Sequence, residues 1–194
     1  MASASSSRAC RRIAIDIGSG MTKMEVADVA VDGTISFIKA APIERYFARI
    51  PLKADLMRPR ATAPRSTAGH GSFGVGIVQE LQESLGRLLK HAREGAGDVD
   101  VQCIAVATAA FRDAENGGAV AAQLAQSLSI QVEVLTQDDE STLGFHSAVA
   151  AASTGSDVFG GHLDGGNGDQ GATANLTAAD VIMWDLVGKY HLAC

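Results

Sequence analysis

The chain has 194 residues, 46% of them apolar and 20% charged, with a formal net charge of −6. Those values suit one globular domain with enough chain to bury a core. The acidic balance argues against a general nucleic-acid binder, which needs a basic footprint, and no apolar run nears the ~20 residues of a membrane span.

Residues 1–11 are rich in Ser, Ala and Arg and free of acids. That composition faintly resembles an organellar presequence, but a strand begins almost at once, so a disordered tail and a cytoplasmic address are expected. Cys10, Cys103 and Cys194 are an odd, widely spaced set that suggests neither a disulfide framework nor a zinc site.

Residues 12–17 and 22–29 alternate in apolar character and read as two strands joined by Gly18-Ser19-Gly20. An aspartate, Asp16, ends the first strand. Glycines admit a bulky anion and turn N–H groups bind phosphate oxygens, while the aspartate can hold a divalent cation. A plain β-turn between edge strands fits the same residues. Asp32-Gly33 signals a hairpin into a third strand over residues 34–41. Residues 42–71 read as irregular, with Pro51, Pro59 and Pro64 breaking any helix. Lys53, Arg58, Arg60 and Arg65 make this stretch basic, either as a solvated loop or as a rim that attracts polyanions.

Over residues 75–94 the period changes. Ile77, Leu81, Leu85, Leu88, Leu89 and Ala92 share one helical face, and Gly95 and Gly97 stop the helix. Residues 101–108 form a continuous apolar strand of the kind covered on both faces. An alanine-rich helix over 114–128, a strand over 130–135 and a helix over 138–151 with acids in its first turn follow. Residues 152–180 are dominated by small polar residues and read as a flexible Gly-rich linker or insertion, before an apolar strand at 181–186. The domain expected is residues 12–151, with 181–194 as the first strand of a further domain. A three-stranded meander followed by α/β crossovers is the half-molecule order of the actin-like, RNase-H-like ATPase folds.

Four separated segments carry a more specific resemblance. Asp16-Ile17-Gly18-Ser19 resembles the first phosphate loop of the Ppx/GppA family, the exopolyphosphatases and guanosine pentaphosphate phosphohydrolases. Residues 107–116, holding Thr108, Arg112, Ala114 and Asn116, resemble its Thr-x-x-x-Arg-x-Ala-x-Asn segment. Residues 132–145 are similar to its strand and acidic helix start, and 182–186 to the strand opening its second phosphate loop. Two departures stand out: Gly20 and Met21 replace Asn-Ser in the first loop, and Asp185 runs into Leu186-Val187-Gly188 where glycines are expected. The chain therefore reads as a truncated first domain.

The resemblance implies hydrolysis of a terminal phosphoanhydride of polyphosphate or guanosine pentaphosphate. Glu140 would be the base, with Asp138 or Asp139 as alternatives one register away. Gly18, Ser19, Gly20, Arg112 and Asn116 would bind substrate, and Asp16 and Asp185 would approach Mg²⁺. From the residues themselves, Arg112 suits a bidentate phosphate contact or a surface pair with Asp113 or Glu115. Asn116 could orient that arginine or cap a helix. The alternatives are a non-catalytic phosphate- or nucleotide-binding module and a kinase fragment of the same fold. The partner expected is polyphosphate or a phosphorylated nucleotide, with no nucleic acid, no membrane, and a homodimer through residues 181–186 as an option. Gly165-Gly166-Asn167-Gly168-Asp169 lacks the ligand spacing of a calcium loop.

Overall fold

The structure, a computed structural model, describes residues 10–31, 35–38, 46–58 and 71–153. One strand organises it. In β1 (Cys10–Ile17) the branched residues Ile13, Ile15 and Ile17 face one way, and Ala14 and Asp16 face the other, the period-two alternation of a pleated strand. β2 (Thr22–Val29) pairs with β1 antiparallel, Ile17 opposite Thr22 and Asp16 opposite Lys23. β3 (Ile35–Phe37) continues the meander on β2. The Asp32-Gly33 turn lies outside the described residues, as do residues 39–41 of the expected third strand.

The irregular stretch holds two elements that its prolines concealed. β4 (Phe47–Ala48) pairs with the start of β2, and α1 (Leu52–Leu56) follows at once. Pro51 occupies the N-cap of α1. A proline there costs no hydrogen bond, because the first helical N–H groups have no partner within the helix.

α2 (Val75–Arg93) supplies the large apolar face. Val78, Leu81, Leu85, Leu88, Leu89 and Ala92 are all buried against the isoleucines of β1, each large side chain contributing about 1.5–3 kcal/mol by burial. The helix stops at Arg93, and Gly95 and Gly97 both take positive φ, +72° and +59°. Arg11 then closes the end: Nη1 donates to the carbonyls of Ala92 at 3.1 Å and Glu94 at 2.9 Å, while Nε and Nη2 grip Asp28 at 2.8 and 3.0 Å. A cation at a helix C-terminus also meets the negative end of its dipole.

β5 (Asp100–Ala107) lies parallel to β1, and β6 (Gln131–Val134) lies parallel to β5. The sheet order is β3-β2-β1-β5-β6, with β4 attached to β2. Between β5 and β6 the chain makes a short helix that the sequence did not suggest, α3 (Ala109–Asp113), and then α4 (Gly117–Leu128), the helix expected over 114–128 begun three residues later. α5 (Gln137–Ser153) follows β6 with Asp138, Asp139 and Glu140 in its first turn.

Two apolar clusters result. The larger joins β1, β2, α2, α3 and α4 on one face of the sheet. A small one, Ala14, Ile104, Val106, Leu135 and Leu143, lies on the other face under the start of α5. Among the described residues no helix is long and apolar enough to cross a membrane. The linker and the strand expected at residues 152–186 lie, apart from the end of α5, outside the described residues.

Candidate active site

β1, β5 and β6 end side by side, and the loops that leave them define the site. Thr108 N–H reaches the Ile17 carbonyl at 3.4 Å, and Leu135 N–H reaches the Ala107 carbonyl at 2.9 Å. The exits of the three strands are thereby stitched together. Beyond them opens a cavity of about 490 Å³ lined by Asp16, Gly18, Ser19, Thr108 and Glu140 on its polar side. Val106, Ala109, Leu135, Leu143 and Gly144 supply the rest.

The turn after β1 is held from both sides. Gly18 N–H donates to the Met21 carbonyl at 3.1 Å, and a Cβ at Gly18 would stand 2.8 Å from that same oxygen. Only glycine lets the chain reverse this tightly. The carbonyls of Ser19 and Gly20 accept from Lys53 N–H at 2.9 Å and Ile50 N–H at 3.2 Å, so α1 and its approach buttress the turn. Gly20 itself is exposed and not among the lining residues; a Cβ there would meet nothing within 4 Å. Its glycine is not demanded by space.

Asp16 lies at the cavity floor. Burial pushes its carboxyl above the ordinary carboxylate range; Lys23, its cross-strand partner, pulls down and the charge of Glu140 pushes up. A carboxylate short of solvent and next to a second one is a place where a cation is welcome. Among the described residues no group of three or more His, Cys, Asp and Glu is arranged to hold a metal. Asp185, the other expected ligand, lies outside the described residues.

The three acids of α5 are separated by a cap. Thr136 Oγ1 donates to Asp139 Oδ2 at 2.8 Å and accepts from Asp139 N–H at 3.1 Å. Asp139 is thus engaged at the helix start, with the Thr136 hydroxyl as its N-cap. Asp138 is exposed, and Glu140 is the acid that lines the cavity. Thr136 was not singled out from the sequence, although Thr-x-x-acid spacing is the local signal for such a cap.

Arg112 pairs with neither Asp113 nor Glu115. Its Nη1 lies 2.7 Å from Glu140 Oε2 and donates to the Leu135 carbonyl at 2.9 Å. Asn116 departs further from expectation. It stands at the N-cap of α4 but makes no side-chain cap bond. Its Oδ1 accepts from Phe73 N–H at 2.8 Å and its Nδ2 donates to the Phe73 carbonyl at 3.1 Å. The amide acts as one rung of a sheet, fastening the approach to α2 onto the α3–α4 junction. Its hydrogen bonds to Phe73, and not a contact to Arg112, engage both ends of the amide. The Phe73 and Phe111 rings meet at 5.0 Å beside it.

Residues 77–169 match the model of the Ppx/GppA phosphatase family. The likeness to that family lies in this segment. The matched Ppx/GppA segment contains Arg112, Asn116 and Glu140, and Asp16 precedes it. Among solved structures, the chain is similar to the Ppx/GppA family member of Aquifex aeolicus, with 23% identity and a TM-score of 0.53 over 75% of this chain. It is also similar to an exopolyphosphatase from Cytophaga hutchinsonii, with 17% identity and a TM-score of 0.53 over 71% of this chain. These likenesses show the fold, an actin-like α/β domain with its meander and crossovers. This chain spans 40% of the Aquifex protein and 38% of the Cytophaga one. No curated protein matches it.

Proposed function

We propose that this domain takes part in hydrolysing the terminal phosphoanhydride of polyphosphate or guanosine pentaphosphate, with Glu140 as general base. The observation that carries the reading is the cavity at the strand exits, where Glu140 of α5 faces Asp16 and the Gly18-Ser19 turn of β1. A terminal phosphoryl group fits against the turn, where the Ser19 hydroxyl and N–H can donate. Glu140, its side chain 43% exposed, has access to water. It accepts that water's proton as the oxygen attacks phosphorus; the P–O bond to the bridging oxygen breaks, and the shortened phosphate chain leaves with the electron pair.

Mg²⁺ suits the same residues. It binds through one or two carboxylates with the remaining places filled by waters and substrate oxygens, and Asp16 is the carboxylate at hand. When bound, it would neutralise charge on the phosphate oxygens. A matching exopolyphosphatase and the family's phosphatase character support the substrate class.

A second reading, a phosphate- or nucleotide-binding module without turnover, draws on the turn itself. Gly20 and Met21 bring no hydroxyl or amide to it. Phosphate release from polyphosphate and from guanosine pentaphosphate with Mg²⁺, wild type beside Glu140→Gln, separates the two. Release that is lost in the variant supports the hydrolase. Ligand-induced thermal stabilisation without release supports the module.

A further inference from the structure

We infer that Arg112 is a positioning residue for Glu140, an assignment that rests on the reading of Glu140 as the base. Sequence alone suggested a phosphate clamp. The structure assigns the side chain a different neighbour on each count. Thr108 and Ala109 line the cavity, yet Arg112, a turn further along α3, is not among the lining residues. Its guanidinium reaches instead to the junction of β6 and α5.

Both contacts come from one nitrogen. Nη1 donates to the Leu135 carbonyl at 2.9 Å and stands 2.7 Å from Glu140 Oε2 as an ion pair. The two acceptors differ in mobility. Leu135 is buried and hydrogen-bonded through its own N–H to Ala107 of β5, so its carbonyl is fixed to the sheet. Glu140 is a half-exposed side chain in the first turn of a helix, with several rotamers open to it. The carbonyl therefore locates the cation, and the cation locates the carboxylate. Asp16 makes the need concrete. Two carboxylates share the cavity and repel, and without a counter-charge Glu140 would turn outward to solvent. With Nη1 held between the Leu135 carbonyl and the Glu140 carboxylate, an end-on fork onto a phosphate would have to compete with both.

The single nitrogen gives the assignment a discriminating test. A lysine ammonium also donates several hydrogen bonds from one nitrogen, but it cannot reproduce a planar two-nitrogen grip. The experiment is Mg²⁺-dependent phosphate release from tripolyphosphate, with calorimetric binding of the same probe, for wild type, Arg112→Met, Arg112→Lys and Glu140→Gln. Arg112→Met is expected to lower kcat by about a hundredfold, the scale of a misplaced catalytic group, with KM and tripolyphosphate affinity unchanged. Arg112→Lys recovers a large part of that loss. Affinity that collapses in both variants while kcat persists would overturn the assignment and make Arg112 a phosphate ligand. Full release by Glu140→Gln would remove the base reading instead, whatever Arg112 does. Where turnover is too slow to follow, the carboxyl-carbon NMR resonance of Glu140 decides. It moves in Arg112→Met and returns in Arg112→Lys if the arginine sets its place; a resonance indifferent to Arg112 sinks the inference.

Discussion

The two faces of the sheet divide the labour of β1 between its odd and even residues. On one face, Ile13, Ile15 and Ile17 meet α2 and α4 in a close-packed apolar layer. On the other, to which the alternation of the strand also assigns Arg12, Ala14 joins a much smaller cluster and Asp16 lines the cavity. Arg12 is buried there beside Gln102, with burial lowering its affinity for the proton against the pull of Asp100. The difference teaches where each kind of cost is carried. A charged or polar group loses solvation when buried, and the layer on the opposite face is what keeps the strand in place while it does.

The comparison breaks most readily in the packed face. Leu85→Ala removes a fully buried side chain from the centre of α2 and is expected to cost about 2–5 kcal/mol, read from the shift in urea midpoint. A cavity-face replacement of equal cost would end the distinction between the faces. Next comes Asn116→Ala, which strands the Phe73 N–H and carbonyl. A loss of about 1–3 kcal/mol is expected, and amide exchange at Phe73 should accelerate. If exchange there stays slow, the amide rung is not what fastens the two segments.

Thr136→Ala sharpens the other side. It removes the cap of α5 at an expected cost of about 1 kcal/mol, and thermal denaturation should show it. Asp16→Asn is the smallest change and has the opposite sign. The folded state raises the Asp16 carboxyl above its reference value of 3.8, so it holds the proton more tightly than the unfolded chain. Stability is lost as pH climbs from that reference through the folded value and stays lost above it. The asparagine variant should therefore melt higher than wild type at neutral pH, and the gap should close on acidification to about pH 4. Calorimetry at the two pH values checks it; a variant that melts lower at neutral pH contradicts the burial cost assigned to Asp16.

What could be read from residues alone follows the reach of the interactions. The alternation of β1 and β2 and the apolar stripe of α2 are local and periodic, and the structure reproduces both nearly to the residue. β4 and α1 are two and five residues long, shorter than any window in which a period can be counted. α3 is five residues long, again too short for a period to show, and the pairing of Asn116 with Phe73 at its junction with α4 spans 43 residues. Local pattern cannot carry that. The site shows the same division. Asp16, Gly18 and Ser19 were legible as a strand-and-turn motif, and Glu140 as an acid at a helix start. That Arg112 turns toward Glu140 depends on where β6 ends relative to α3, which only the assembled sheet decides.

The central place of β1 also has a consequence in time. Its pairing with β2 closes over the short turn at Gly18, a hairpin that forms in roughly microseconds. Its other edge waits for β5, where Cys10 meets Asp100, a closure over about ninety residues that is slower because the loop entropy comes due before the contacts form. On a ribosome adding roughly 5–20 residues per second, β1 waits on the order of ten seconds for that partner. The edge most thoroughly enclosed in the finished sheet is thus the one left bare longest while the chain is being made.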